Sequence, residues 1–200
     1  LQELPEVDGV LGTGSYAQVV SAVQMLLEDQ TVEAFGSIDE PEEETGRILT
    51  TPEHYAYIKI AEGCDKHCTY CIIPKLRGRY RSVPMEQLIE QAKYLASQGV
   101  KELILVAQET TVYGTDLYGE KKLPELLARL AAIRGIRWIR ILYCYPEEIY
   151  DELIQTIAEE PKICHYLDLP IQHCNDGILK RMGRRTNKQQ LIDKIEQLRE

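Results

Sequence analysis

Two hundred residues suffice for one domain of ordinary size and exclude a small peptide stapled by disulfides. Hydrophobic residues make up 44% of the chain and no apolar run approaches the roughly 18 residues that a membrane span requires, so the sequence reads as globular and not membrane-spanning. The net charge of −9 is uneven: residues 1–53 hold twelve acids and one base (−11), and residues 54–200 hold twenty acids and twenty-two bases (+2).

The amino terminus, LQELPEVDGV, has no basic stretch followed by an apolar one and no initiator Met. It is expected to belong to a longer, cytoplasmic chain and not to a secreted one. Six cysteines in such a chain argue for metal binding or buried thiols over a disulfide framework.

Residues 7–11 form a short, mostly apolar segment with Val7, Val10 and Leu11, a Gly12-Thr13-Gly14-Ser15 turn follows, and residues 17–27 carry Val19, Val20, Val23, Met25, Leu26 and Leu27. That pattern predicts strand, turn and helix in a leader over 1–35. Gly12-x-Gly14-x-x-Ala17 matches a dinucleotide-binding fingerprint, but a lone match is weak. No second strand ending in an acid is predicted about 20 residues on, where a ribose-binding acid belongs, so a plain tight turn is expected. The next stretch, GSIDEPEEETGR, is too polar to offset its ordering entropy by burial, and residues 36–53 are expected to form an acidic linker.

From residue 54 the pattern changes to strands at 55–61, 103–107, 137–143 and 166–169, alternating with helices at 84–98, 123–133, 146–159 and 188–199. The run LILVA over 103–107 has the continuous apolar character of a strand buried on both faces. Four β/α units in alternation predict a parallel sheet in an α/β fold. Four units do not close an eight-stranded barrel, so the expected architecture is an open sheet or a partial (β/α) barrel, incomplete on its C-terminal side, preceded by the remnant of another α/β domain.

Cys64, Cys68 and Cys71 form C-x3-C-x2-C directly after the first strand of this region, with Gly63 letting the chain turn out of the sheet. Loops at the C-terminal ends of parallel strands are where ligands bind. Three cysteines with no fourth nearby point to an iron–sulfur cluster with one iron left open. The same residues leave two alternatives open: a structural zinc site completed by His67, His165 or His173, and an electron-transfer cluster completed by Cys144, Cys164 or Cys174. Cys144, Cys164 and Cys174 show no ligand spacing and read better as small packing residues.

Several motifs together carry a family resemblance. The stretch AYIKIAEGCDKHCTYCIIPKLRGRYRS, with Tyr70 just before the last cysteine, and the downstream LILVAQETTVYG, YCYPEEI, LDLPIQH and ILKRMGRRT resemble the radical S-adenosylmethionine (radical SAM) superfamily and, within it, the methylthiotransferases. Pro74-Lys75-Leu76-Arg77-Gly78 and Ala107-Gln108-Glu109-Thr110-Thr111 stand where the tRNA adenosine-modifying members have Pro-Tyr-Thr-Arg-Gly and Gly-Gln-Asn-Val-Asn. The chain is therefore more similar to the members that methylthiolate the β-carbon of an aspartate in a small-subunit ribosomal protein of the S-twelve type.

The resemblance implies a 4Fe-4S cluster on Cys64, Cys68 and Cys71, whose open iron chelates the amino and carboxylate groups of S-adenosyl-L-methionine. It also implies reductive cleavage to a 5′-deoxyadenosyl radical, an electron donor such as flavodoxin, and Tyr70, Gln108, Glu109, Asp168, Gln172 and Arg181 as cofactor contacts. His173, Arg184 and Arg185 are further candidates. The family's second 4Fe-4S cluster needs three more cysteines in an N-terminal domain, and residues 1–63 contain none, so that cluster is expected only in a full-length protein. The rival reading from another class is a non-catalytic, zinc-bound interaction module on the translation machinery. Finally, Lys75, Arg77, Arg79 and Arg81 alternate, which in an extended segment places all four on one side as a basic rim beside the cysteine loop.

Overall fold

A computed structural model describes residues 5–40, 48–50 and 52–200. The leader is a β-α-β unit: β1 (Gly9–Leu11), a turn of 3-10 helix at Tyr16–Gln18, α1 (Val19–Leu27) and β2 (Val32–Ala34). The sequence pattern did not predict β2, which pairs parallel with β1 from Gly9↔Val32 to Leu11↔Ala34. A Cβ on Gly12 would lie 2.7 Å from the Phe35 ring, and one on Gly14 would lie 2.7 Å from the Gly36 carbonyl oxygen. The space beside both glycines is therefore filled by the chain's own return strand, as a tight turn requires and a pyrophosphate cradle does not.

Beyond the leader come β3 (Tyr55–Lys59), β4 (Ala61–Glu62), α2 (Ile73–Arg77), β5 (Arg81–Ser82), α3 (Met85–Ser97) and β6 (Glu102–Val106). They are followed by α4 (Thr115–Tyr118), α5 (Leu123–Ala131), β7 (Trp138–Ile141), α6 (Asp151–Glu159), β8 (Ile163–Leu167), α7 (Asp176–Arg181) and α8 (Lys188–Gln197). Strands β3-β6-β7-β8 form one parallel four-stranded sheet in chain order, and no closed barrel is present among the described residues.

The helices are amphipathic for a visible reason. Helix α3 buries Leu88, Ile89, Ala92 and Leu95, and α5 buries Leu123, Leu126, Leu127 and Leu130, both at helical spacing. They pack on Ala56 and Ile58 of β3, Leu103 and Leu105 of β6, and Ile139 and Ile141 of β7. Each fully buried Leu or Ile of this set contributes about 2–3 kcal/mol of transfer free energy. The central strand β6 buries Leu103, Ile104 and Leu105 in succession, as its unbroken apolar run predicts. Helix α3 stops at Gly99, where φ is +98°, and α8 starts in a capping box between Asn187 and Gln190.

Three sequence expectations change. The last strand starts at Ile163 and not at 166, because it is an edge strand whose polar outward residues hide the alternation. Of the predicted linker, residues 41–47 and 51 lie outside the described residues, while residues 36–40 are docked. Asp39 Oδ1 accepts from the Arg79 amide at 3.0 Å and lies 3.5 Å from Arg81 Nη1. Beside it, Thr13 Oγ1 donates to the Leu76 carbonyl at 2.6 Å.

The basic residues 75–81 do not form an extended, one-sided strip. Pro74 sits in the first turn of α2, where its fixed φ suits a helix, so Lys75 and Arg77 are helical. Arg77 lies over the Tyr16 ring at 5.7 Å, and Arg81 turns back to donate to the Arg77 and Arg79 carbonyl oxygens.

Candidate active site

Parallel strands end together, and here four chain segments leave the sheet at one end. The β4–β5 pair, in register at Ala61↔Ser82 and Glu62↔Arg81, closes the base of the cysteine loop. Gly63 makes the exit at φ +79°, and a Cβ there would overlap the Arg79 carbonyl oxygen, so the backbone approach itself demands glycine. The loop is clasped from the far side of the chain: Thr69 donates through its amide to the Met182 carbonyl and through Oγ1 to the Arg181 carbonyl, both at 3.0 Å. Gly183 lets this segment come close, since its Cβ would lie 2.8 Å from the His67 carbonyl oxygen.

Beside the loop lies a cleft of about 350 Å³, lined among others by Cys64, Cys68, Tyr80, Glu109, Tyr145 and Glu148. Cys64 and Cys68 are buried; Cys71 is exposed and does not line it. Burial pushes the Cys64 thiol up, partly countered by the Lys66 amide, which donates to its sulfur at 3.4 Å. Among the described residues, no three His, Cys, Asp or Glu side chains converge tightly enough to hold a single metal ion; cysteines of an iron–sulfur cluster each bind a different iron and need not converge on one point.

Glu109 is the most unusual group in the cleft. It leaves the end of β6 and is 1% exposed, and burial pushes its carboxyl up to about 7 despite hydrogen bonds from Thr111. Oε1 accepts from the Thr111 amide at 3.0 Å and from its hydroxyl, whereas Oε2 has no hydrogen-bond partner among the described residues. A buried carboxylate oxygen left without a partner is costly unless a ligand supplies a donor. Tyr80 fixes the backbone here, donating to the Glu109 carbonyl at 2.9 Å.

Charged residues far apart in sequence meet around the same cleft. Glu148 pairs with Lys66 and, at 3.2 Å, with Lys121; although burial opposes its charge, the two lysines hold it below the usual carboxylate range. Arg184 grips Glu147 through Nε–Oε1 at 3.0 Å and Nη2–Oε2 at 2.8 Å, and it lies 4.5 Å over the Tyr145 ring. The Tyr145 hydroxyl is 3.8 Å from Cys68 Sγ. Burial, followed by the neighbouring Cys68, pushes Tyr145 up, so its hydroxyl keeps its proton.

A model of the radical SAM superfamily matches residues 58–200, which include the loop, the cleft and the whole sheet after its first residues. The chain belongs to the radical SAM superfamily.

Relatives extend the likeness over the full chain. It is 62% identical over 200 residues to a protein of Lachnoclostridium phytofermentans named ribosomal protein uS12 methylthiotransferase RimO, covering all of this chain and 46% of that protein. A protein of the same name from Clostridium perfringens is 53% identical over 201 residues, covering all of this chain and 45% of the relative. The chain thus spans about half the length of the curated relatives it matches. Among solved structures, the cobalamin-dependent S-adenosylmethionine radical enzyme OxsB, with aqua-cobalamin and S-adenosylmethionine bound, superposes with a TM-score of 0.60 at 12% identity. That match covers 98% of this chain and 40% of OxsB. The radical SAM methyltransferase TsrM from Kitasatospora setae, with tryptophan and a SAM analogue bound, gives a TM-score of 0.56 at 17% identity over 73% of this chain and 27% of TsrM. Both show the radical SAM fold.

Of the residues singled out by sequence, this radical SAM chain brings Cys64, Cys68, Glu109, Arg184 and Arg185 into the cleft lining. Tyr70 is half exposed, next to Arg184 and Cys68. Gln108 donates to Glu62 Oε1 at 2.9 Å. The Asp168 carboxylate accepts from the Tyr143 amide at 3.3 Å, bracing the end of β7. Gln172, at φ +64°, and Arg181 are exposed, and Arg181 meets the cysteine loop through its carbonyl.

His67 lines the cleft, His165 lines a separate pocket between α6 and α8, and His173 uses Nδ1 to accept from the Asn175 amide at 2.9 Å. Cys144 is fully buried beside Thr110, and burial pushes its thiol up to about 12. Cys174 is exposed, which corrects its expected packing role; it follows β8 on the open edge of the sheet. Lys66, Tyr145, Glu147 and Glu148 lie inside the motifs that carry the family resemblance, but the sequence assigns no role to them or to Lys121, because ionic partners up to 82 residues apart leave no local signal.

Proposed function

We propose that this chain is the catalytic core of a methylthiotransferase that places a methylthio group on the β-carbon of an aspartate in a small-subunit ribosomal protein. The observation that carries this reading is the 62% identity to the RimO relative along the entire chain. Cys64, Cys68 and Cys71 are the proposed ligands of a 4Fe-4S cluster with one open iron, and the donor set fits: three soft sulfurs on one strand-to-helix loop, two of them lining the cleft. When bound, the cluster and S-adenosylmethionine supply a carbon-centred radical that takes hydrogen from an unactivated carbon.

The chain's own residues then have distinct parts. Glu109 Oε2 is an acceptor without a protein partner at the cleft wall, suited to the amino group of the cofactor. Lys66 and Lys121, held by Glu148, and Arg184, held by Glu147, fix the positive charge of the wall so that little reorganisation accompanies ligand binding. Gln108, Asp168 and Tyr143 brace the strand ends. In the domain plan proposed here, residues 1–35 close a preceding domain, residues 36–53 connect, and residues 54–200 form the radical SAM unit. Tyr70, Gln108, Asp168, Gln172 and Arg181 remain proposed cofactor contacts. A second cluster, an electron donor such as flavodoxin and a cytoplasmic setting belong to the same proposal.

Anaerobic turnover of the whole protein with a peptide bearing the ribosomal aspartate loop and, separately, with tRNA tests the reading by mass spectrometry. Methylthio-aspartate in the peptide with unmodified tRNA is expected. A methylthio-adenosine with an unchanged peptide would overturn it.

A further inference from the structure

The phenol of Tyr145 meets the sulfur of Cys68 at the wall of the cleft, and everything around it serves to hold that contact. Its hydroxyl lies 3.8 Å from Cys68 Sγ, within hydrogen-bond reach of a sulfur acceptor. Its ring carries the Arg184 guanidinium at 4.5 Å and the Lys66 ammonium at 5.4 Å. Neither cation is free to wander: Arg184 is clamped by both oxygens of Glu147 and donates to the Pro170 carbonyl at 2.8 Å, and Lys66 is paired with Glu148. The backbone is fixed on the other side, where the Cys144 amide donates to the Asp168 carbonyl at 2.9 Å.

We infer that Tyr145 is a positioning residue that directs its O–H onto the Cys68 sulfur and thereby raises the reduction potential of the centre this thiolate ligates. The physical basis is general: a hydrogen bond donated to a ligating thiolate draws electron density from the metal and favours the more negative, reduced form. The inference rests on the cluster assignment made under Proposed function. Its functional consequence is easier reduction of the centre, with Glu147 and Arg184 holding the tyrosine ring in place.

The test is redox titration of the anaerobically reconstituted protein, followed by EPR of the reduced cluster. Tyr145→Phe keeps the ring against Arg184 and deletes only the hydroxyl. It is expected to retain wild-type iron and sulfide and to shift the midpoint potential to a more negative value.

An unchanged potential in a fully loaded Tyr145→Phe protein would overturn the inference. If that variant loses its iron, a ring-fluorinated tyrosine at position 145 decides the matter, because it keeps the hydroxyl and makes it a stronger donor. A more positive potential then supports the inference, and no change overturns it. Wild-type protein that takes up no iron would instead remove the cluster assignment itself.

Discussion

Arg184 and Glu147 form a two-pronged ion pair, 3.0 and 2.8 Å between paired atoms, with the arginine side chain only 1% exposed. The pair ties the segment after α7 to the turn after β7, the two stretches that flank the cysteine loop. Arg184 also satisfies the Pro170 carbonyl. Replacing Arg184 by Met leaves a buried carboxylate without its partner, and the expected loss is about 3–5 kcal/mol in denaturant unfolding. The double variant Arg184→Met, Glu147→Met should recover much of it, since no charge is then stranded. A single-variant loss under 1 kcal/mol would show that water reaches the pair.

Glu109 predicts a pH dependence of the metal-free chain. Its carboxyl lies near 7 when folded against an ordinary 4.5, because burial disfavours the charged form. The folded state therefore binds the extra proton between those values, so stability is fullest below 4.5 and falls as pH rises through 7. That difference corresponds to about 3 kcal/mol at high pH. Glu109→Gln should flatten this slope and melt above wild type at pH 8. Parallel stability curves for the two proteins from pH 5 to 8 would contradict it.

Gly63 and Gly99 both have positive φ, yet only one is crowded. Alanine at Gly99 meets nothing within 4 Å, so it should cost only the backbone term, about 1 kcal/mol. Alanine at Gly63 adds overlap with the Arg79 carbonyl oxygen, so a larger loss is expected together with weaker iron retention as the cysteine loop shifts. Equal unfolding midpoints for the two variants would mean the loop yields freely.

The six cysteines should divide into two groups. Alanine at Cys64, Cys68 or Cys71 is expected to abolish stable iron binding, whereas alanine at Cys164 or Cys174 leaves it intact. Cys144→Ala should keep its iron while losing about 1 kcal/mol from a small buried void. Iron content per chain, measured after desalting, reads out all six variants.

Much of the frame was legible in the sequence because strands and helices here have strong periodicity. The apolar run of β6 and the leucine spacing of α5 are enough to set the alternating β/α plan. Short elements were not legible: β2 has three residues, and its identity depends on a partner more than twenty residues away in β1. The cysteine loop announced itself through spacing, and Glu109 through its place at a strand end. The ionic wall did not, since Lys66 and Glu148, or Glu147 and Arg184, become neighbours only when the sheet aligns their loops. The basic residues from Lys75 to Arg81 misled because alternation implies one face only in an extended chain, and Pro74 opens a helix there.

The central claim is that Cys64, Cys68 and Cys71 hold an iron–sulfur cluster with one iron open to S-adenosylmethionine. Iron and sulfide analysis of anaerobically reconstituted protein, with EPR of the reduced sample before and after adding S-adenosylmethionine, tests it most directly. About four irons and four sulfides per chain, with a spectrum that changes on addition, are predicted. Stoichiometric zinc without iron, or a four-iron spectrum indifferent to S-adenosylmethionine, would contradict it.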